Sequence, residues 1–316
     1  MRVVASKEFD EIKIFGPVNG VSKLTFEVCG TEPAFFEGHW WKKWDYEDAS
    51  VYLSSHSGCP VGCKMCGTNR YYVRQASVRE LIEQFEFMHR KMFPHKDEQN
   101  DYKKLVCKFL YMGEPLLNLA NVDAALRYIA TSYPNWEILV STTAPRLECN
   151  YRTIKNWIRD FGERILVSFS VHKLDENERN ALIPFKDKLS IEEIKSLGIE
   201  LHRVNKKSKI SFSYNLFNRE GSYELAQMML NAFPADVWIP CIQYLYDKSG
   251  REAPEYEASC NEQIDRFLGL LYQIGYEEAY GFYAPESSGD SHLVTGCGQF
   301  VEFQDYTRKK KLERTI

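Results

Sequence analysis

Between residues 51 and 299 short apolar runs alternate with stretches whose apolar residues recur at helical spacing. The runs at 51–53, 105–112, 137–141, 165–170, 209–216, 237–243 and 278–282 read as strands. Helices are predicted over 81–88, 122–132, 151–161, 223–232 and 262–274, with another opening at Ser190. Two helix starts, Ser77-Val-Arg-Glu80 and Ser190-Ile-Glu-Glu193, have the form of a capping box, in which the Ser and Glu side chains each bond the other's backbone N–H. Strands separated by helices of this length imply βα units and a parallel sheet. Six or seven units fit between residues 51 and 299, and a closed eight-fold barrel typically needs ~250 residues, so the expected fold is α/β, an open partial barrel of (βα)6 type. Residues 1–50 read as a small β-type extension, with strands at 12–15 and 24–28 and an aromatic-rich loop at 35–46. Residues 51–299 form the barrel, and 300–316 a solvated tail carrying the basic run Arg308-Lys-Lys-Lys311.

Composition excludes several function classes. No apolar run approaches the ~18 residues of a membrane span. Residues 1–11 carry charges and no apolar core, so no secretory signal is read there. A net charge of −4 gives no general footprint for nucleic acid; any such contact must be local. The chain has nine cysteines, an odd number; three lie within residues 59–66 and the rest are scattered. A disulfide framework does not look like this. A reducing, cytoplasmic compartment and a thiolate-bound metal centre do.

The crowded cysteines stand in Ser54-Ser-His-Ser-Gly-Cys59-Pro-Val-Gly-Cys63-Lys-Met-Cys66-Gly67, just after a predicted strand. A tight turn brings Cys59, Cys63 and Cys66 onto one face, and Gly58, Gly62 and Gly67 let the backbone close around a cluster. Three ligands on a four-iron cluster leave one iron open to chelate the amino and carboxylate groups of S-adenosylmethionine (SAM). The competing reading is zinc, which wants four protein ligands; His56 is the candidate fourth, only three residues before Cys59.

Further motifs make the sequence similar to the RlmN/Cfr family of radical SAM enzymes, which methylate adenine carbons in ribosomal and transfer RNA. The cysteine loop, Met112-Gly-Glu-Pro-Leu-Leu-Asn118, Ser141-Thr142, Ser170-Val-His172, Asn261-Glu-Gln-Ile-Asp-Arg-Phe267 and Gly296-Cys297-Gly-Gln299 resemble the family's motifs in the family's order, from about residue 51 to 299. The resemblance implies a radical SAM partial barrel with a [4Fe–4S] cluster on Cys59, Cys63 and Cys66. It implies SAM contacts at Gly113, Glu114, Ser141, Ser170, Val171 and His172, and at Gln243 in place of a family asparagine. It implies that Cys297 carries the methyl group, with Glu37 the counterpart of a general base. A reductant such as flavodoxin or ferredoxin and a monomeric state are expected with it. The physical reading agrees for Glu114 and the serines: they end strands, and barrel enzymes keep their chemistry at carboxyl ends of strands.

Two departures stand out. Family RNA methylases carry a second cysteine seven residues before the first cluster ligand, which releases the methylene adduct by forming a disulfide with the methyl carrier. Here that position is Tyr52, which has no thiol. The region before the cluster loop is also shorter than in the family, which weakens an RNA substrate. Cys29, Cys107, Cys149, Cys241 and Cys260 are the remaining thiols. Three functions stay open: methylation of an electron-poor sp2 carbon of an adenine-type acceptor through Cys297; hydrogen abstraction from a small molecule or peptide without methyl transfer; and a cluster-containing binding protein without turnover. The three tryptophans at 40, 41 and 44 serve either to stack a flat substrate or as local core.

Overall fold

The structure is a computed structural model that describes residues 2–5, 21–28, 34–43, 48–70, 72–208, 210–217, 220–244 and 261–282. Two compact units form, one over residues 1–62 and 66–136, the other over 63–65 and 137–284.

In the first unit β1 (Arg2–Ala5), β2 (Val21–Val28), β3 (Ala34–Lys43) and β4 (Asp48–Leu53) form an antiparallel ladder. The segment expected as an aromatic loop is therefore a strand: β3 pairs on both sides, and aromatic side chains suit a pleated, half-buried surface. The strand expected at 12–15 lies outside the described residues. Beyond β4 the chain makes a short hairpin, β5 (His56–Gly58) with β6 (Tyr72–Gln75), which brackets the cysteine loop. Helix α1 (Val78–Met92) follows, then β7 (Lys104–Phe109), parallel to β4, and α2 (Leu119–Ser132). The capping box is present: Ser77 Oγ accepts from Glu80 N–H, and the Glu80 carboxylate accepts from Ser77 N–H at 2.7 Å. Such a cap is worth about 1 kcal/mol. Leu81, Phe85, Met88 and Met92 are fully buried along one stripe of α1, with the Phe85 ring edge-on to Trp136 at 5.1 Å.

The second unit is all parallel. Strands β8 (Glu137–Thr142), β9 (Ile165–Ser170), β10 (Ile210–Leu216), β11 (Trp238–Tyr244) and β12 (Tyr280–Phe282) pair in sequence order. Between them run α3 (Glu148–Phe161), α4 (Glu176–Leu182), α5 (Ile191–Val204), α6 (Tyr223–Ala232) and α7 (Asn261–Gln273). Six βα units result among the described residues, as the periodicity predicts. Element ends differ from the sequence reading by one to three residues in most cases. Helix α4 is new; at seven residues it is too short to show a period, and its signal is Asp175, whose carboxylate accepts from the N–H groups of Asn177 and Glu178 at 2.9 Å.

Strand β10 shows how sequence sets the faces. Every residue in it is buried, yet apolar Ile210, Phe212 and Leu216 alternate with Ser211, Ser213 and Asn215. The Phe212 ring stacks on Phe233 at 4.4 Å, and Phe233 meets Trp238 at 4.9 Å. The opposite face is polar: Ser213 Oγ and Ser168 Oγ stand 2.9 Å apart.

Gly198 of α5 packs directly on Trp238, and a Cβ there would lie 1.9 Å from Trp238 Cζ2. Replacing a helical glycine with alanine ordinarily stabilises by about 1 kcal/mol. Here the sign reverses: Gly198→Ala is expected to destabilise by about 1–3 kcal/mol through overpacking. Denaturant unfolding checks this, and a gain in stability would remove the close contact.

Candidate active site

Burial governs the candidate residues of the first unit. The loop entrance, Ser54 to Ser57, is almost fully buried. Its backbone leaves the ladder of β4, so other partners satisfy it. Gln84 of α1 accepts from Ser54 N–H at 3.0 Å and donates to Ser54 O at 3.1 Å. The Met112 carbonyl accepts from Ser55 N–H at 2.8 Å and His56 N–H at 3.2 Å. Asn118 Nδ2 donates to Ser55 O at 2.9 Å and to Ala76 O at 2.7 Å. Asn118 closes the Gly-Glu-Pro motif, and Gln84 and Asn118 are roles that sequence reasoning missed; the motif quoted Asn118 without a task for it.

Gly58 and Gly62 adopt φ of +81° and +75°, the left-handed region that the loop's closure requires. Gly113 has φ +105°, and a Cβ there would lie 2.4 Å from His56 Nδ1 and 2.6 Å from Ser55 Oγ. Glu114 is 2% exposed and caps a short 3-10 turn, one carboxylate oxygen accepting from Leu116 N–H at 3.1 Å. Burial, reinforced by the Cys66 thiol and the Glu114 carboxylate, pushes the Cys59 thiol up to about 12. Cys59 thus feels the charges of both Cys66 and Glu114. A protonated thiol is no ligand, so metal loading at Cys59 must expel a proton and depends on pH. Among the described residues no three His, Cys, Asp or Glu side chains converge on one point.

His56 is fully buried, with Nδ1 2.9 Å from Ser55 Oγ and Nε2 without a partner among the described residues. Burial lowers its pKa to about 4, so the imidazole is neutral at physiological pH.

Glu37 is fully buried on β3; its N–H lies 3.3 Å from Met112 Sδ, and its carbonyl accepts from Ser54 Oγ. Tyr52, where the family has its second thiol, accepts a hydrogen bond from Lys108 Nζ at 3.0 Å, and that ammonium also stands 4.7 Å from the Tyr52 ring centre. His39 packs on Tyr52 at 5.0 Å. Lys108 is 7% exposed. Its signal in the sequence is a lysine inside an apolar strand run. Cys107 is fully buried in β7, Cys149 is exposed, and no disulfide occurs among the described residues. Cys297, Cys29 and Cys260 lie outside the described residues.

In the second unit the predicted residues fall at strand ends. Ser141 is in register with Ser168, and Ser170 with Ser213. After Ser170 the chain turns: the N–H groups of Val171 and His172 both donate to Ser213 O at 3.1 Å. His172 takes φ +62°, a strained conformation for a side chain with a Cβ and common at functional sites. Its Nδ1 accepts from Asn215 N–H at 3.2 Å, which places the ring proton on Nε2. Gln243 is half-buried and in register with Asn215. Cys63 belongs to this unit, and Lys64 N–H donates to Leu182 O of α4 at 2.9 Å.

No family model matches the chain. It is 25% identical over 268 residues to the dual-specificity RNA methyltransferase RlmN of Ruegeria pomeroyi, a match covering 82% of this chain and 65% of that protein. It is 26% identical over 258 residues to the probable RlmN of Petrotoga mobilis, covering 78% and 66%. A radical SAM methyltransferase from Sphaerobacter thermophilus superimposes with a TM-score of 0.71 at 20% identity, covering 95% of this chain and 80% of that one. The chain is thus similar to the RlmN methyltransferases. The superposition shows for this chain the α/β partial-barrel fold that the βα alternation predicts. The chain's matches span a little under two thirds of the length of the curated relatives. Among its described residues no helix is long and apolar enough to cross a membrane.

The low pKa of His56 gives a pH dependence. An unfolded histidine, near 6.5, binds a proton that the folded one refuses until about pH 4. The unfolded state therefore holds more protons in that window, and stability falls as pH drops from about 6.5 towards 4, by up to about 3 kcal/mol. Comparing denaturant unfolding at the two ends of the window for wild type and His56→Gln tests this; an equal fall in both would clear His56 of the effect.

Proposed function

We propose that this chain is a cytoplasmic radical SAM enzyme that methylates an sp2 carbon of an adenine-type acceptor, with Cys297 as methyl carrier. One observation carries the reading: a three-cysteine loop shaped by left-handed glycines, with Cys59 in the electrostatic range of Cys66 and Glu114. Three cysteines at this spacing suit a cluster with one open iron, whereas zinc wants four protein ligands and no such gathering of His, Cys, Asp and Glu forms among the described residues. When bound, a [4Fe–4S] cluster supplies the electron that cleaves a carbon–sulfur bond of SAM.

The chain's own residues do the rest. Cys59, Cys63 and Cys66 hold the irons as thiolates. Glu114 accepts hydrogen bonds from the SAM ammonium, and Gly113 permits close backbone approach. Ser141 and Ser170 offer hydroxyls to the ribose or carboxylate, with Val171, His172 and Gln243 as further contacts. Cys297 accepts the methyl group on sulfur, and Glu37 is the candidate base. A flavodoxin- or ferredoxin-type protein delivers the electron. An RNA acceptor is consistent with the RNA methyltransferases that the chain resembles. The catalytic domain is taken as 51–299, between a β extension at 1–50 and a tail at 300–316.

A second reading rests on its own observation. Tyr52 stands where the family releases its adduct through a thiol, and its hydroxyl is engaged by Lys108. Hydrogen abstraction from a small molecule or peptide needs no such thiol.

Anaerobically reconstituted protein is expected to hold about four irons and to convert SAM to 5′-deoxyadenosine under reduction. Cys59→Ala, Cys63→Ala and Cys66→Ala are expected to lose both; a tightly bound zinc without iron would overturn the reading. Glu114→Ala is expected to weaken SAM binding by ~1.5–3 kcal/mol in calorimetry. Peptide mass spectrometry separates the two functions: an added methyl on Cys297 supports the carrier, and product formation by Cys297→Ala at the wild-type rate favours direct abstraction.

A further inference from the structure

Arg179 of α4 is 0% exposed. Its Nη1 donates to Leu189 O at 2.7 Å and lies 3.4 Å from Glu176 Oε1. Its Nη2 donates to Thr143 O at 3.3 Å and stands 3.5 Å from Ser170 O, so the guanidinium reaches the carboxyl ends of both β8 and β9. Its Nε–H has no hydrogen-bond partner among the described residues. Binding carbonyls does not require a charge, and burying one costs several kcal/mol. A buried, unmatched N–H adds to that cost and asks for an acceptor.

A second cation stands with it. Lys188 is 6% exposed, and its Nζ donates to Asn180 Oδ1 at 2.6 Å and Phe185 O at 2.9 Å. Burial pulls the Lys188 pKa down, and the nearby Arg179 charge pulls it further. The carboxylate beside Arg179 is Glu176, whose side chain is 40% exposed and therefore screened by water. After Glu176, the Cys63 thiol is the other negative group whose charge both cations feel. Geometry agrees: Lys64 N–H is bonded to Leu182 O, fastening the residue after Cys63 to the last turn of the helix that carries Arg179.

We infer that Arg179 and Lys188 form a cationic seat for the Cys63 sulfur and thereby set the reduction potential of the cluster that this cysteine holds. The inference rests on the cluster reading given above. Positive charge and N–H···S bonds at a ligand sulfur favour the reduced, more negative cluster and so raise its potential. Arg179 and Lys188 are positioning residues: they touch neither SAM nor substrate and act through Cys63.

The test is an anaerobic redox titration of the reconstituted full chain, followed by electron paramagnetic resonance without SAM or acceptor. Arg179→Gln at full iron content is expected to show a more negative midpoint and an altered signal, and Arg179→Lys to stay nearer wild type. Lys188→Met, which leaves the Arg179 bonds to the strand ends in place, is expected to shift in the same direction by less; it carries the test if Arg179→Gln does not fold. Full iron with the wild-type potential in Lys188→Met and in every folded Arg179→Gln sample overturns this inference alone. A wild-type chain that takes up no iron overturns the cluster reading and this inference with it.

Discussion

At Ser54 the backbone leaves the β4 ladder while still buried, and the N–H and C=O groups it would orphan are met one by one. Gln84 takes both groups of Ser54, the Met112 carbonyl takes the next two N–H groups, and Asn118 takes the Ser55 carbonyl. Three elements distant in sequence thereby fix the chain five residues before Cys59. The same packing leaves no room for a Cβ at position 113, so the Gly-Glu-Pro motif and the cysteine loop are held as one piece. Glu114 and Cys59 feel each other's charge because of that lock, not because of any attraction between two groups that repel when ionised.

The second unit solves a different problem. Parallel strands buried on both faces usually read as continuous apolar runs. Strands β9 and β10 instead carry serine and asparagine on one buried face, where they bond each other and end at the left-handed turn of His172. The polar face costs stability that an apolar face would supply, which is expected where a protein keeps hydroxyls and amides for a ligand. The buried charge of Arg179 at the ends of β8 and β9 belongs to the same pattern.

The row at Tyr52 marks where this chain parts from the family it resembles. Tyr52 and Lys108 are register partners across β4 and β7, and His39 and Tyr52 across β3 and β4, so their side chains share a face. A phenol, an ammonium and an imidazole stand together where the family's pattern calls for a thiol. Such a row has no thiol with which to make a disulfide.

Periodicity alone determined the βα order, because burial imposes spacing on the residues themselves, and both capping boxes were legible because their partners sit three residues apart. The cysteine spacing marked a candidate ligand set for the same reason. Short or irregular features were not legible: the hairpin around the cysteine loop is too brief to show alternation, α4 too brief to show a turn-by-turn pattern, and β3 looked like a loop because its adjacent aromatics, Phe35-Phe36 and Trp40-Trp41, break the apolar–polar alternation of a strand. Tertiary structure alone decided that Gln84 and Asn118 hold the loop entrance, that Lys108 answers Tyr52, and that Arg179 is buried beside the strand ends. Those are contacts between residues 30 to 63 positions apart, or charges whose meaning depends on burial, and local sequence carries no record of either.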